Sequence, residues 1–523
     1  MLSNRRLLAA AILAAASQLP AQDITYANPN PTLVGFGTNA VILGDSDGLG
    51  RRDVVIATID NTTTPPTALV DFISTETGAV IGTASFGPAT GSAMVNVGDF
   101  DGNGADDVAI ASPTLGFITI HAGETGASFS IIGVVVLPAP FSAGGMVQVE
   151  DFNNDGIREI AVGDPAANAV HIVDLTIANP NNPVLQTITD PRIGSFGAAL
   201  ASSGNRLAVG APTFSTILPP GPTRGYVNIF RIGATTATLT ATITGVAVPG
   251  VPREFGRALA VVGDQDADGL DDFAVLAPSD AVNAFAAILS ETNPNPFGQF
   301  FYGVPSVAGQ GRMTAAGDLN ADGSIDIVVS DGASLHLLAT QGPAFMVALT
   351  AAPIAGAFNG CVAGGPSITG VGIQDVVLGR NINATTASAQ VAPIAAAISL
   401  PNPPACVISQ NPVTQRSLLG TNPFTLDLAT TSTTPVLGFM VVDFAPATSV
   451  PFGNGLAYIN MSSPTAQILG FNGVVNGAPL SFVTSIPASP AFLNIGLVFQ
   501  GATIDAAGAF QMSNGFVFRL GSF

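Results

Sequence analysis

"GDFDGNGADDVAIASP", residues 98–113, packs Asp99, Asp101, Asn103, Asp106 and Asp107 into nine positions and then turns abruptly apolar. The stretch has relatives: "GDSDGLGRRDVVIAT" from Gly44, "EDFNNDGIREIAVGD" from Glu150, "GDQDADGLDDFAVLA" from Gly263 and "GDLNADGSIDIVVSD" from Gly317. Each sets oxygen-bearing side chains at loop positions one, three, five and nine, with Gly at six, and then enters an apolar strand. The first copy departs at position five, where Leu49 offers no ligand.

That spacing suits a divalent cation. Ca²⁺ takes about six to eight oxygens at about 2.3–2.6 Å, and alternate side chains of a tight loop converge on one point. Glycine permits the sharp turn. Without a cation the carboxylates repel one another by about 1 kcal/mol per pair in water, and by more when partly buried. The loop therefore has a reason to be ordered with metal bound. An EF-hand is excluded, because these loops close with an acid at nine, lack the Glu at twelve and lead into strands.

The intervals between first ligands are 54 residues (Asp45 to Asp99), 52 (to Asp151), 113 (to Asp264) and 54 (to Asp318). The long interval is about two short ones, and "FGAALASSGNRLAVGAP", Phe196–Pro212, fills its middle with the frame kept and the acids lost. A second worn copy, "GGPSITGVGIQDVVLG" from Gly364, keeps Gly372 and Asp375. Seven units of about fifty residues, each able to supply four strands, predict an all-β, seven-bladed β-propeller. Phe-Gly or similar pairs recur in phase at Phe36, Phe86, Phe196 and Phe255, with Phe141–Ser142 in the third unit, and alternating strands such as "GFITIHAGETGA" and "GYVNIFRIGATTA" follow the loops.

With these motifs the chain resembles the FG-GAP repeat family, the calcium-binding propeller found at the head of integrin α subunits and in many secreted bacterial proteins. The resemblance covers residues 30–398, and "FG" with "GAP" stands almost literally at Phe196, Gly197, Gly210, Ala211 and Pro212. It implies four Ca²⁺ sites with a backbone carbonyl at position seven. They are Asp99, Asp101, Asn103, Ala105 and Asp107; Asp151, Asn153, Asp155, Ile157 and Glu159; Asp264, Asp266, Asp268, Leu270 and Asp272; and Asp318, Asn320, Asp322, Ser324 and Asp326. Asp45, Asp47 and Asp53 make a weaker fifth, while units four and seven bind nothing there. The resemblance also puts the loops on one face, leaving the opposite face or the rim to a partner.

The rest of the chain sets bounds. Hydrophobic residues make up 47% and charged residues 10%, with 59 Gly and 39 Pro, a mixture that suits short strands and tight turns. All 15 basic residues are Arg against 35 acids, for a net charge of −20, which argues against a nucleic-acid partner. "MLSNRRLLAAAILAAASQLPAQ", residues 1–22, reads as a secretory signal, its apolar run being too short to span about 30 Å of hydrocarbon. No later stretch reaches the roughly 18 apolar residues of a span, so the mature chain is expected to be secreted, extracellular or at the cell surface. Cys361 and Cys406 could pair in such a compartment or remain separate buried thiols.

From the Pro-rich "SLPNPPACVISQNP" at Ser399 the acidic loops cease. Residues 23–398 are read as the propeller and 399–523 as a smaller β-sandwich, built of stretches such as "VLGFMVVDF" and "AFLNIGLVFQGAT". This part is similar to a C-terminal module of secreted proteins from planctomycete-like bacteria. His121, His171 and His336 lie in separate units, in or beside strands, and neither an HExxH nor a GxSxG pattern occurs. Trp is absent and Tyr numbers four, which disfavours an aromatic sugar platform. The expected function is a non-catalytic binding or adhesion scaffold for an extracellular protein or polysaccharide. The alternative is a calcium-dependent polysaccharide-active enzyme of lyase type, needing an Arg or Tyr base in a cleft.

Overall fold

The computed structural model describes the strands and most tight turns of residues 24–393 and the strands of residues 397–519; residues 1–23, 318–323 and 366–374, with shorter connecting stretches, lie outside the described residues. The leader segment and three ligands of unit six, Asp318, Asn320 and Asp322, are among those outside. Every named element of the described residues is a strand.

The apolar second strand of a unit is deeply buried, with or without an acidic loop before it: Asp107–Ser112, Arg206–Ala211 and Asp272–Ala277 are buried at every position. Such runs lose the inside–outside alternation because both faces are covered. In unit two, Met94–Gly98, Asp107–Ser112, Phe117–His121 and Ile131–Val136 form an antiparallel sheet in that order. Its last strand, at the rim, leaves Ile131, Val134 and Val136 exposed. The same order of four consecutive strands builds the sheets of units one to six, and in unit six Ile354–Ala355 adds a short fifth strand.

The expectation of seven self-contained units is corrected at the last one. Six blades follow the chain strand by strand, whereas unit seven supplies Val362–Gly365, Asp375–Arg380 and Ser388–Pro393 and takes its outer strand from Ile24–Ala27 near the N-terminus. First strands pack in a closed ring: Phe36–Ile42 on Met94–Gly98, then Met146–Gln148, Ala199–Ser203, Ala258–Gly263, Arg312–Gly317, Val362–Gly365 and back to Phe36–Ile42. The molecule is a β-propeller, and pairing of residues far apart in sequence locks its ring.

Its core is distributed between the blades. Ile118 and Ile120 of unit two pack with Ile160 and Val162 of unit three, and Val227 and Ile229 of unit four with Phe273 and Val275 of unit five. Each such fully buried side chain contributes about 1.5–3 kcal/mol. The Phe-Gly pairs are the close-packing device of these interfaces. Phe36, Phe196 and Phe255 are fully buried, and the glycines after them are left-handed, at φ +84°, +95° and +90°. A Cβ on Gly210 of unit four would stand 2.1 Å from the carbonyl oxygen of Gly256 in unit five. Nearer the axis, Asn96 Nδ2 donates to Ile42 O (3.2 Å), Gln148 Nε2 to Val97 O (3.1 Å) and Ser202 Oγ to Gln148 O (2.5 Å), each reaching back one blade.

Beyond the ring, one sheet has the order Ala397–Leu400, Phe510–Arg519, Gly496–Ile504, Val436–Phe444, Gln467–Val474. A second joins Cys406–Gln410, Phe424–Thr430 and Leu480–Thr484, and a short hairpin pairs Val450–Phe452 with Gly455–Ala457. The first strand spans residue 398, so its pairing begins two residues before the boundary expected from sequence. Cys361 is a free buried thiol, pushed up to about 12 by burial; the side chain of Cys406, its expected alternative partner, lies outside the described residues.

Candidate metal centres

Each acidic loop joins the first and second strands of its blade, as Asp99–Asp106 does between Met94–Gly98 and the strand that Asp107 opens. Because the strands are antiparallel, these loops share one end of the barrel of sheets with the turns between third and fourth strands.

The loops of units two, three and five share one conformation. Position four is left-handed in each, at Gly102 (φ +78°), Asn154 (+61°) and Ala267 (+61°), and so is position six, at Gly104 (+93°), Gly156 (+92°) and Gly269 (+86°). The side chains then climb the backbone. The carboxylate at position one accepts from the N–H of position six, at 2.9 Å in all three: Asp99 from Gly104, Asp151 from Gly156, Asp264 from Gly269. Position three accepts from five: Asp101 from Asn103 (3.0 Å), Asn153 from Asp155 (2.9 Å), Asp266 from Asp268 (3.2 Å). Position five accepts from seven: Asn103 from Ala105 (2.8 Å), Asp155 from Ile157 (2.8 Å), Asp268 from Leu270 (2.9 Å). Asp and Asn are the residues that make these local bonds.

Among the described residues three carboxylate triads bring ligand atoms within 4.8 Å of one another: Asp45, Asp47 and Asp53; Asp99, Asp101 and Asp107; and Asp264, Asp266 and Asp268. The loop from Asp151 to Glu159 forms no such triad; there Asn153 stands in for an acid and donates to Asp155 at 2.9 Å. In unit six, Asp326 is fully buried and accepts from Thr340 N (3.1 Å), and Ser324 is half-buried.

Position nine has a role the spacing did not disclose. Asp107 is fully buried; its Oδ2 accepts from Phe100 N (2.7 Å) and Asp101 N (3.3 Å), and its Oδ1 from Gly123 N (2.8 Å) in the turn between third and fourth strands. Asp53 repeats this with Ser46, Asp47 and Thr75. The closing acid therefore clamps the loop to the neighbouring turn. In Glu159 and Asp272, 1% and 0% exposed, one oxygen accepts from position two of its own loop, Phe152 N and Gln265 N, and the bond to the neighbouring turn is not made: Glu159 Oε1 and Asp272 Oδ1 meet no partner. A buried carboxylate oxygen left so is costly unless a cation meets it.

The electrostatics agree. Burial pushes Asp53 and Asp107 up to about 6 and Asp272 to about 7, and it raises Glu159 as well. Asp268 moves the other way: desolvation opposes the change, but the hydroxyl of Thr292 (2.8 Å) and the N–H of Leu270 hold it below the usual range. An oxygen-only donor set with buried, under-satisfied carboxylates fits a hard divalent ion.

Unit four reverses the charge. Arg206 pairs with Ser203 at the start of its buried strand as Asp107 pairs with Gly98, so an arginine occupies position nine. It is 5% exposed and reaches unit five, with Nε 2.9 Å from Glu291 Oε2 and Nη1 bonded to the carbonyl of Asp271. The sequence signal for it is the aligned "GNRLAVGAP", which carries Arg206 where the other loops carry an acid.

The three histidines and Tyr226 each make local contacts. His121 is buried, stacked on Phe129 and lowered to about 4 by desolvation; His171 bonds Thr187 and His336 bonds Asp331. Burial raises the phenol of Tyr226, which lies under the Arg192 guanidinium at 3.8 Å, and Arg192 is held by Asp190.

No family model matches the sequence, and no curated protein matches it. Among solved structures the chain is similar to BBS1N in complex with ARL6DN (11% identity, 71% of this chain and 97% of that one, TM-score 0.40). It is also similar to the Dos1 propeller (13%, 65% and 75%, 0.37) and to the periplasmic gluconolactonase PpgL of Pseudomonas aeruginosa (12%, 56% and 81%, 0.38). The propeller assignment rests on the ring of sheets itself.

Proposed function

We propose that this chain is a secreted, calcium-binding β-propeller of FG-GAP type that serves as a non-catalytic scaffold for an extracellular protein or polysaccharide. The composite sheet counts as its seventh blade, and residues 399–523 form a β-sandwich of the kind found in secreted planctomycete-like proteins. One observation carries the calcium reading: three loops share a ladder of side-chain-to-backbone bonds, and two of them leave a buried carboxylate oxygen unmet. The metal's role is structural. Asp99, Asp101 and Asp107, Asp264, Asp266 and Asp268, and Asp45, Asp47 and Asp53 would hold it; the loop from Asp151 to Glu159, which forms no such triad, is proposed as a further site on its unmet Glu159 Oε1 alone. Bound calcium neutralises the clustered carboxylates and fixes one end of the ring. The opposite end, formed by the turns between second and third strands and the links between blades, is left for a partner. The buried histidines and the raised Tyr226 phenol favour a scaffold over a lyase.

The test is elemental analysis of the purified mature protein after dialysis against buffer containing Ca²⁺ and Mg²⁺. Several equivalents of Ca²⁺ per chain, removable by chelator, are expected. Metal-free protein would overturn the calcium reading, and steady turnover of an acidic polysaccharide would overturn the scaffold reading.

A further inference from the structure

The unit-two loop meets an arginine of the preceding unit at position eight, Arg52 Nη1 standing 3.7 Å from Asp106 Oδ2; the loop of unit five is held from outside at its position-five carboxylate as well. Asp268, its position-five ligand, receives the Thr292 hydroxyl at 2.8 Å and the Ser290 hydroxyl at 3.4 Å, both from the turn after Phe285–Leu289. Between them in sequence stands Glu291, which accepts Arg206 Nε at 2.9 Å and lies 3.3 Å from Arg231 Nε; both arginines belong to unit four. Arg206 also bonds the carbonyl of Asp271, and Ser203 of unit four bonds the Asp271 carboxylate. One guanidinium thus grips the turn that orients Asp268 and the chain between positions seven and nine. It also lies 5.3 Å over the ring of Phe273, the residue after the closing Asp272. Asp272, fully buried with Oδ1 unmet beside this cluster, is the independent sign that the loop awaits a ligand.

From this geometry we propose that Arg206 is a positioning residue for the unit-five metal loop: a unit that has lost its own acids lends a fixed cation to order its neighbour's. The inference rests on the calcium reading above. A formal positive charge near a Ca²⁺ site repels the ion, so Arg206 helps only if the order it imposes outweighs that repulsion. Three features say that it does. Arg206 is buried, its charge is met by Glu291, and it acts through a turn and a carbonyl instead of touching the ligand atoms. Partners that orient metal ligands from behind change affinity by about 10–100-fold when removed.

The experiment is calorimetric titration of the full mature chain with CaCl₂, comparing wild type with Arg206→Met, Thr292→Val and Asp264→Ala. Arg206→Met removes the charge and keeps most of the bulk. Thr292→Val leaves the arginine in place and cuts the link to Asp268, so it remains informative if Arg206→Met fails to fold. The expected result is one class of site weakened by about tenfold or more in both variants, with the other sites unchanged. Unchanged or tighter binding, or equal weakening of every site, overturns the proposal. Asp264→Ala separates the two readings: loss of one equivalent upholds the metal loop, retention of every equivalent overturns this inference by placing the calcium elsewhere, and wild type that binds no Ca²⁺ sinks the calcium reading and this inference with it.

Discussion

Units four and five are neighbours built on one frame, and they solve the same electrostatic problem with opposite charges. Both have a fully buried strand behind the hairpin, and both pair with their neighbours through a buried Phe and a left-handed Gly, Phe196–Gly197 and Phe255–Gly256. Unit five fills its hairpin with Asp264, Asp266 and Asp268 and closes it with Asp272; unit four shortens the hairpin to Ser203–Arg206 and closes it with Arg206. The frame is therefore independent of metal. What the acids add is a carboxylate cluster able to hold a cation, and what the arginine adds is a bond to the loop beside it.

The largest effect should come from breaking the shared frame. Phe196→Ala in unit four is expected to cost about 3–5 kcal/mol, with or without Ca²⁺, because it empties a fully buried site between blades. Denaturant unfolding in Ca²⁺ and in chelator should give the same loss; a loss confined to one condition would show that frame and metal are not separable.

Next comes Asp272→Asn. Burial pushes this carboxyl up to about 7, so the neutral amide should stabilise the calcium-free protein by about 1–3 kcal/mol and remove the benefit of calcium at that loop. Urea midpoints of both forms, each with and without Ca²⁺, check this by whether the two effects have opposite sign.

A third effect concerns pH. Asp53 and Asp107 at about 6 and Asp272 at about 7 all stand above their unfolded values. The folded state then holds protons that the unfolded state has released. The stability these groups contribute is full below about pH 4 and is lost as pH rises through 6 to 7. Chelated wild type should melt at falling temperature across that window relative to an Asp53→Asn, Asp107→Asn, Asp272→Asn variant, and saturating Ca²⁺ should flatten the difference. A gap that widens in the opposite direction would contradict the assignment.

The smallest effect is Ala267→Gly. Ala267 holds φ +61°, where a side chain costs about 1–2 kcal/mol, and glycine gives back part of the gain through its freer unfolded chain. A net gain of about 0.5 kcal/mol is expected in thermal melts, against no gain at Gly102, which already stands at the matching position.

The repeat and its strands were legible because their signals are local: loop ligands lie within nine residues, and the buried strand follows at once. The composite blade was not legible. Its outer strand, Ile24–Ala27, is four residues without a loop signature, and its register with Ser388–Val391 exists only once the ring closes. The clamp at position nine was hidden for a related reason, since Gly123 and Thr75 sit one turn away across the sheet and reveal nothing until the chain folds. Arg206 carries the opposite charge to a cation ligand, and its partners Glu291 and Asp271 lie in the next unit, so its role is visible only in the folded chain.

The central claim is that divalent ions order the acidic end of this ring. Differential scanning calorimetry of the chelated protein at pH 7, repeated over a series of free Ca²⁺ concentrations, tests it most directly. The account predicts a melting temperature that climbs steadily with Ca²⁺, each site adding about 2.7 kcal/mol at 100 times its dissociation constant. A melting temperature that stays the same from chelator to millimolar Ca²⁺ would contradict it.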